Sequence, residues 1–412
     1  MTPTTVALAP APGGVRTPVI GVYDPRLQTT SLCLAVAHGA RRDPEGASGV
    51  AHLLEHLLFS LPAGGRHSFA EQIERMGGQT NAETGLETML FYAQVAAEDA
   101  EVAAPAMLRS VLTPVFDHAI FDREREVVVK ELVTAAADPA DLVQDAVFAK
   151  LFPGHLLSRP IGGDIEELKR LTVAEVEGEH RRDFLHRPRA LVVVGPRPIE
   201  GLDELLAELT AAPAELPAEA PAFAPLPAAD TSLPRWPLDR DFAWVCLAAR
   251  SCELNSSEEA AYKLIATLLG SSPSSLLYRK LRGEEALSYS FESWNRSYSD
   301  TGVWRLLAGV EPQNADRLVE IVDGLLADLA EGRLTEEDFD SARRKAEMRL
   351  VLQAESPLDH AQLIAMHTRA GTLDWSLTQA RADLRAVTRP QLAAAAATLR
   401  ANLVVAVRPD AS

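Results

Sequence analysis

The sequence predicts an α+β protein built of two similar α/β domains, and three observations carry that expectation. At 412 residues the chain exceeds one ordinary domain and points to two of about 200 residues each. Between Leu209 and Trp236 it turns rich in alanine and proline, with Pro213, Pro217, Pro221, Pro225 and Pro227. That composition disfavours helix and central strand and reads as an extended linker. On either side of it a strand pattern precedes a helix pattern: residues 242–249 can be laid beside 30–37, and the apolar helix 261–269 beside 51–58. The duplication is faint, and shared strand-then-helix patterning could produce it without common origin. The expected division is a first domain over 15–210, a linker over 211–236 and a second domain over 237–412.

From Val19 the chain alternates apolar and polar as strands do, and 30–37 reads as a core strand. A loop over 39–49, containing Asp43-Pro44-Glu45-Gly46, leads into the helix 51–58, which Pro62-Ala63-Gly64-Gly65 ends. Ser68 can cap a second helix running to Met76. Gly77-Gly78 then reads as a turn into a strand beginning near Asn81, with a second strand over 88–95. If the first of these lies at a sheet edge, its free backbone groups at Asn81 and Ala82 can pair with an extended peptide. The alternative is a plain hairpin arm. Helices are expected over 97–112 and 122–137, and in the second half over 336–352 and 383–399, with a final strand at 403–407.

Chemistry concentrates in Ala51-His52-Leu53-Leu54-Glu55-His56-Leu57-Leu58. Helix positions i, i+3 and i+4 share one face, so His52, Glu55 and His56 project together while the apolar residues cover the rest. Two imidazoles one turn apart can hold one zinc ion and leave a position open for water, which Glu55 would face. The alternative is two core histidines and a helix-face glutamate, yet an apolar helix gives three polar groups little other reason to be there. The order H-x-x-E-H inverts H-E-x-x-H and is the inverzincin signature. A third ligand must come from elsewhere, and a carboxylate is an accepted partner to two histidines. In the helix 122–137, Glu124 and Glu131 lie seven apart on one face. Glu131 is the choice for the ligand and Glu124 for an orienting carboxylate. Here the alternative is a solvated charged face on which Glu126 pairs with Lys130.

A formal net charge of −18 argues against a nucleic-acid partner, since phosphates are held by clustered Lys and Arg. An acidic cavity would favour cationic or neutral substrates, and solubility explains the charge equally well. The three cysteines, Cys33, Cys246 and Cys252, are scattered and odd in number, which points to a reducing compartment rather than a disulfide framework. Residues 1–14 have neither the cationic start nor the apolar run of a signal peptide. No stretch approaches the ~20 apolar residues that span a bilayer. The expectation is a cytoplasmic protein without membrane or nucleic-acid partners.

These residues resemble the pitrilysin, insulinase and mitochondrial processing peptidase family of inverted zincins. Its pattern is H-x-x-E-H followed about 75 residues on by a metal-binding glutamate in a stretch like R-E-x-V-x-x-E, and His52, Glu55, His56 and Glu131 fall on those positions. Glu124 falls on a further family carboxylate. Gly39 to Glu45, Gly77-Gly78 with Asn81-Ala82, and Leu191-Val192-Val193-Val194-Gly195 are further echoes. The resemblance implies domains of the processing-peptidase (LuxS/metallohydrolase-like) type, each a mainly antiparallel sheet covered by helices, assembling as a clamshell. It implies a zinc metalloendopeptidase, with one zinc ion per chain, that cuts peptides or unfolded polypeptide segments inside a closed chamber. Leu281-Arg282 through Leu287-Ser288-Tyr289 matches the family's L-R-x-x-x-x-L-x-Y, whose arginine and tyrosine contact the substrate backbone and the reacting carbonyl. Arg282 and Tyr289 take those places. Related proteins enclose substrate between four domains, so a chain of two implies a homodimer, or a heterodimer with a related chain. The alternative function is a non-catalytic core or assembly subunit, which degenerate metal residues would mark, and here all four are intact.

Overall fold

The computed structural model describes residues 4–6, 17–210, 223–368 and 375–411. The rest of the N-terminal stretch, and Pro213, Pro217 and Pro221 of the expected linker, lie outside the described residues. The chain forms two compact α+β units. The first gathers the described residues of 1–132, 160–223 and 352–376, and the second those of 133–159, 224–351 and 377–412.

In the first unit, strands β1 (Thr4–Val6), β2 (Val19–Tyr23), β3 (Thr29–Val36), β4 (Gln79–Thr84), β5 (Met89–Ala96) and β6 (Arg189–Gly195) make one sheet in the order β1-β2-β6-β3-β5-β4. Only β2 and β6 run parallel. The central strands β3 and β6 are buried at nearly every position, with apolar runs over 32–36 and 190–194, because both sheet faces are covered. One face packs helices α1 (Val50–Ser60), α2 (Phe69–Arg75), α3 (Ala100–Leu112) and the start of α4 (His118–Ala135). The other face packs Ala361, Ile364 and Ala365 of the helix Pro357–His367 against Ile20, Cys33, Leu90 and Val192.

The second unit has a four-stranded antiparallel sheet in the order β10-β7-β9-β8, from β7 (Ala243–Ser251), β8 (Ser290–Ser297), β9 (Gly302–Val310) and β10 (Val404–Arg408). That order repeats β6-β3-β5-β4 of the first sheet, and the two outer hairpins close on equivalent pairs, Thr84↔Met89 and Ser297↔Gly302. Helix Glu259–Leu268 follows β7 as α1 follows β3. Counted from their N-caps, Gly49 and Glu258, the places of His52, Glu55 and His56 are taken by Ala261, Leu264 and Ile265, all buried in the apolar core.

Three features depart from the sequence expectation. The units are not contiguous in the chain, as a first domain over 15–210 and a second over 237–412 require. Helix α5 (Pro139–Leu151) packs on β7 and β10 of the second unit, and Pro357–His367 packs on β3 and β6 of the first. Next, the single helix expected over 383–399 is two helices, Leu377–Ala386 and Arg389–Ala401. Thr388 starts the second with a capping box completed by Gln391, and Pro390 fits its first turn while lacking the N–H an uninterrupted helix needs there. Finally, the described part of the proline-rich stretch is fastened along the second unit. The Asp230 N–H donates to the Lys150 carbonyl at 2.8 Å, and His155 Nε2 meets the Ala224 carbonyl at 3.1 Å. Arg250 donates to the carbonyls of Leu151 and Pro227.

Candidate metal centre

Helix α1 places its polar face by burying the others: Val50, Ala51, Leu53, Leu54, Leu57 and Leu58 are buried in the core. Each leucine so buried stabilises the unit by roughly 1.5–3 kcal/mol, which fixes the helix's rotation about its axis. Its N-cap, Gly49, has no side chain to satisfy the first-turn N–H groups and adopts φ +99°. Asp43 supplies the cap instead, one carboxylate oxygen accepting from Gly49 N at 2.6 Å and the other from Ala51 N at 3.0 Å. Glu167 accepts from Ser48 N at 2.7 Å. Against this start lies Gly163, at φ +91°, where a Cβ would stand 2.2 Å from Gly49 Cα. Both glycines are needed because the two backbones touch.

Helix α4 brings the opposing carboxylates. Its buried face runs Phe121, Glu124, Val128, and Glu131 continues that row one turn on. His56 Nε2 lies 3.3 Å and His52 Nε2 3.8 Å from Glu131 Oε2. The candidate ligand atoms of His52, His56 and Glu131 all lie within 4.8 Å of one another. Tetrahedral zinc with bonds of about 2.0–2.1 Å needs ligand atoms roughly 3.3 Å apart, so the trio fits the ion after small adjustments. The two imidazoles meet edge to face, centroids 4.9 Å apart, so their nitrogens converge without the rings stacking.

The surroundings suit metal ligands. Burial, and then the neighbouring His56, hold His52 down to about 4, which keeps its ring neutral at neutral pH, the state that binds a metal. Its Nδ1 is buried and faces the Gly162 backbone carbonyl without reaching hydrogen-bond geometry. Glu124, only 8% exposed, puts Oε2 3.6 Å from His56 Nδ1, the ring nitrogen opposite the Glu131 contact, while Arg123 donates to its Oε1. The carboxylate therefore faces that ring nitrogen from just beyond hydrogen-bond length. Burial raises the Glu55 carboxyl above its ordinary range, an effect opposed first by a hydrogen bond from Thr84. Thr84 Oγ1 donates to Glu55 Oε2 at 2.5 Å.

Asn81 and Ala82 lie on β4, the end strand of its sheet, whose outer edge carries no strand partner among the described residues. Ala82 faces the core that holds α1, and Asn81 is exposed beside Tyr92. In the second unit Arg282 and Tyr289 come together. The Arg282 guanidinium lies 5.5 Å from the Tyr278 ring centroid and 5.4 Å from that of Tyr289. Arg282 belongs to a π-helical turn, Arg279–Glu284, and Ala286 between the pair has φ +52°, both uncommon backbone states. Tyr289 is 73% exposed, so its phenol is open to a ligand.

Sequence reasoning passed over Asp43, Gly162, Gly163 and Thr84. For Thr84 the signal was present: residues 80, 82 and 84 of a strand share one face, and that face turns out to meet α1. A second group of ligand types, His38, Glu179 and Asp183, also sits together. There His38 Nδ1 meets Asp183 at 3.0 Å and Arg187 holds both Asp183 oxygens, so a guanidinium already supplies the countercharge.

A family model described as Insulinase (Peptidase family M16) matches residues 19–165, and one described as Peptidase M16 inactive domain matches residues 188–346. A protein of Bacillus subtilis described as an uncharacterized zinc protease is 26% identical over 355 residues, covering 83% of this chain and 83% of that protein. The beta subunit of the mitochondrial-processing peptidase of Blastocladiella emersonii is 27% identical over 308 residues, covering 72% of this chain and 65% of its own. Among solved structures, a protease from Helicobacter pylori superposes with a TM-score of 0.84 at 20% identity, over 98% of each chain.

Proposed function

Because the chain belongs to the insulinase (M16) family of peptidases, in its two-domain form, we propose that it is a zinc-dependent endopeptidase cutting peptides or unfolded polypeptide segments. The observation that carries this reading is the convergence of His52, His56 and Glu131 with Glu55 on the same helix face. In this reading His52 Nε2, His56 Nε2 and a Glu131 oxygen hold the ion. A bound zinc ion supplies Lewis acidity toward a water molecule and a peptide carbonyl. Glu55 takes the proton from the attacking water and returns it to the leaving amine, and burial that lifts its affinity for a proton suits both duties. Substrate lies extended along the free edge of β4, where backbone pairing gives affinity with little demand on sequence. Tyr289 donates to the developing oxyanion and Arg282 binds substrate backbone. None of the helices among the described residues is long and apolar enough to cross a membrane.

Cleavage of an unbiased peptide library, with and without a chelator, tests the reading. Cleavage that chelation abolishes and zinc restores is expected. A library left whole by the zinc-loaded protein, pure and dimeric, would reject it in favour of an assembly role.

The proposal extends to assembly: the active form is a two-fold dimer in which each zinc site is served by the partner's Arg282 and Tyr289. Chains carrying Glu55→Gln and chains carrying Arg282→Ala should each be inactive and should regain activity on mixing. Random exchange makes half the dimers mixed, each with one whole site of two, so recovery should approach about a quarter of wild type. Confirmed subunit exchange without recovery would assign the Arg282–Tyr289 pair to its own chain.

A further inference from the structure

We propose that Thr84 is a positioning residue for Glu55, its hydroxyl clamping one carboxylate oxygen so that the other is presented to the water. The inference rests on Glu55 being the proton acceptor, as proposed above. Its basis is geometric. Thr84 Oγ1 donates to Glu55 Oε2 at 2.5 Å, and among the described residues it is the group that donates to this carboxylate. A glutamate has three rotatable side-chain bonds, and α1 constrains only the first of them. Holding Oε2 removes that freedom and leaves Oε1 to accept the proton.

The clamp is itself held on all sides. Thr84 is the last residue of β4 and pairs with Met89, which is fully buried, while Gly85 N donates to the Thr88 carbonyl at 2.8 Å and closes the hairpin just beyond. Strand alternation turns residues 80, 82 and 84 to one side, and Ala82 packs into the core that buries the leucines of α1. The hydroxyl therefore reaches α1 from a backbone held by strand pairing and the turn hydrogen bond, and a β-branched side chain keeps a narrow choice of χ1. The consequence is a link between binding and chemistry. The strand whose free edge receives the peptide is the strand that orients the base, so one element sets the register between scissile bond and proton acceptor. The second unit lacks this arrangement: Ser297 occupies the hairpin place of Thr84, and Leu264 stands where Glu55 would be.

The test uses the zinc-loaded full chain with Thr84→Val, which keeps the branched shape without the hydroxyl, and Thr84→Ser, which keeps the hydroxyl. Thr84→Val is expected to lower kcat by about 10- to 100-fold, the scale of a misplaced catalytic group, with KM, zinc content and thermal midpoint unchanged. Thr84→Ser should restore most of the loss. A readout apart from turnover is the affinity for a peptide hydroxamate, which chelates zinc and shares its proton with an adjacent carboxylate. It should weaken in Thr84→Val and in Glu55→Gln, and the double variant should be no weaker than Glu55→Gln alone, as for two groups acting as one unit. Wild-type kcat and hydroxamate affinity in Thr84→Val, or additive losses in the double variant, would overturn the positioning role while leaving the peptidase reading intact. Should the wild-type chain cleave nothing while hydroxamate binding still follows this non-additive pattern, the positioning role stands and the peptidase reading falls. If Thr84→Val lowers the thermal midpoint, the comparison moves to Thr84→Ala against Thr84→Ser, where equal kcat in the two also overturns the role.

Discussion

Glu55→Gln is expected to keep about one zinc ion per chain and to lose peptidase activity by about 10²- to 10⁴-fold, the range general-base catalysis spans. The amide has the carboxylate's shape and can still accept from the Thr84 hydroxyl, so helix α1 and its core of leucines should be undisturbed. What it lacks is an oxygen able to take a proton. The ligand atoms of His52, His56 and Glu131 are left where they were, and Glu55 does not belong to that trio. Zinc analysis beside a cleavage assay decides the matter. Loss of zinc along with activity would assign Glu55 to the coordination of the ion, and full activity would remove it from the chemistry.

How much of this centre could be read beforehand depends on the distance over which its parts are specified. His52, Glu55 and His56 lie on one helical face by spacing alone, and Glu124 and Glu131 obey the same periodicity, so both helix faces were legible. The apolar residues between them state which side is buried. Asp43 was not legible as the cap of α1, because its carboxylate reaches Gly49 and Ala51 through a loop whose path no periodicity encodes. Gly162 and Gly163 matter only once the fold lays them against Gly49 and His52. The same limit explains the units. Helices α5 and Pro357–His367 each carry an apolar face, but such a face does not say which of two sheets it will cover. The break at Thr388 is a different matter: Thr388, Pro390 and Gln391 form a helix start that the sequence displays openly, although the amphipathic spacing runs on across it.

Glu131→Gln is expected to weaken zinc binding by more than about 100-fold, whereas Glu124→Gln should cost no more than about 10- to 100-fold, the usual effect of disturbing a group that orients a ligand. Both glutamates lie on one face of α4, seven residues apart, and both approach His56, so the sequence alone separates them poorly. Their contacts separate them well. Glu131 Oε2 stands 3.3 Å from His56 Nε2 and 3.8 Å from His52 Nε2, on the side where the two rings converge. Glu124 approaches the other nitrogen, His56 Nδ1, at 3.6 Å, and its second oxygen is engaged by Arg123. The Glu131 side chain is 49% exposed and that of Glu124 11%, so neutralising Glu131 leaves little unpaired inside the protein, and the loss should appear in metal affinity rather than in thermal stability of the zinc-free chain. Glu124→Gln should show the reverse balance, because it strips the partner from a buried face of α4. Competition against a chelator of known affinity, with thermal unfolding of the metal-free proteins, measures both quantities. Equal zinc loss in the two variants, or the greater loss in Glu124→Gln, would transfer the ligand role to Glu124 and leave Glu131 as a surface carboxylate near the site.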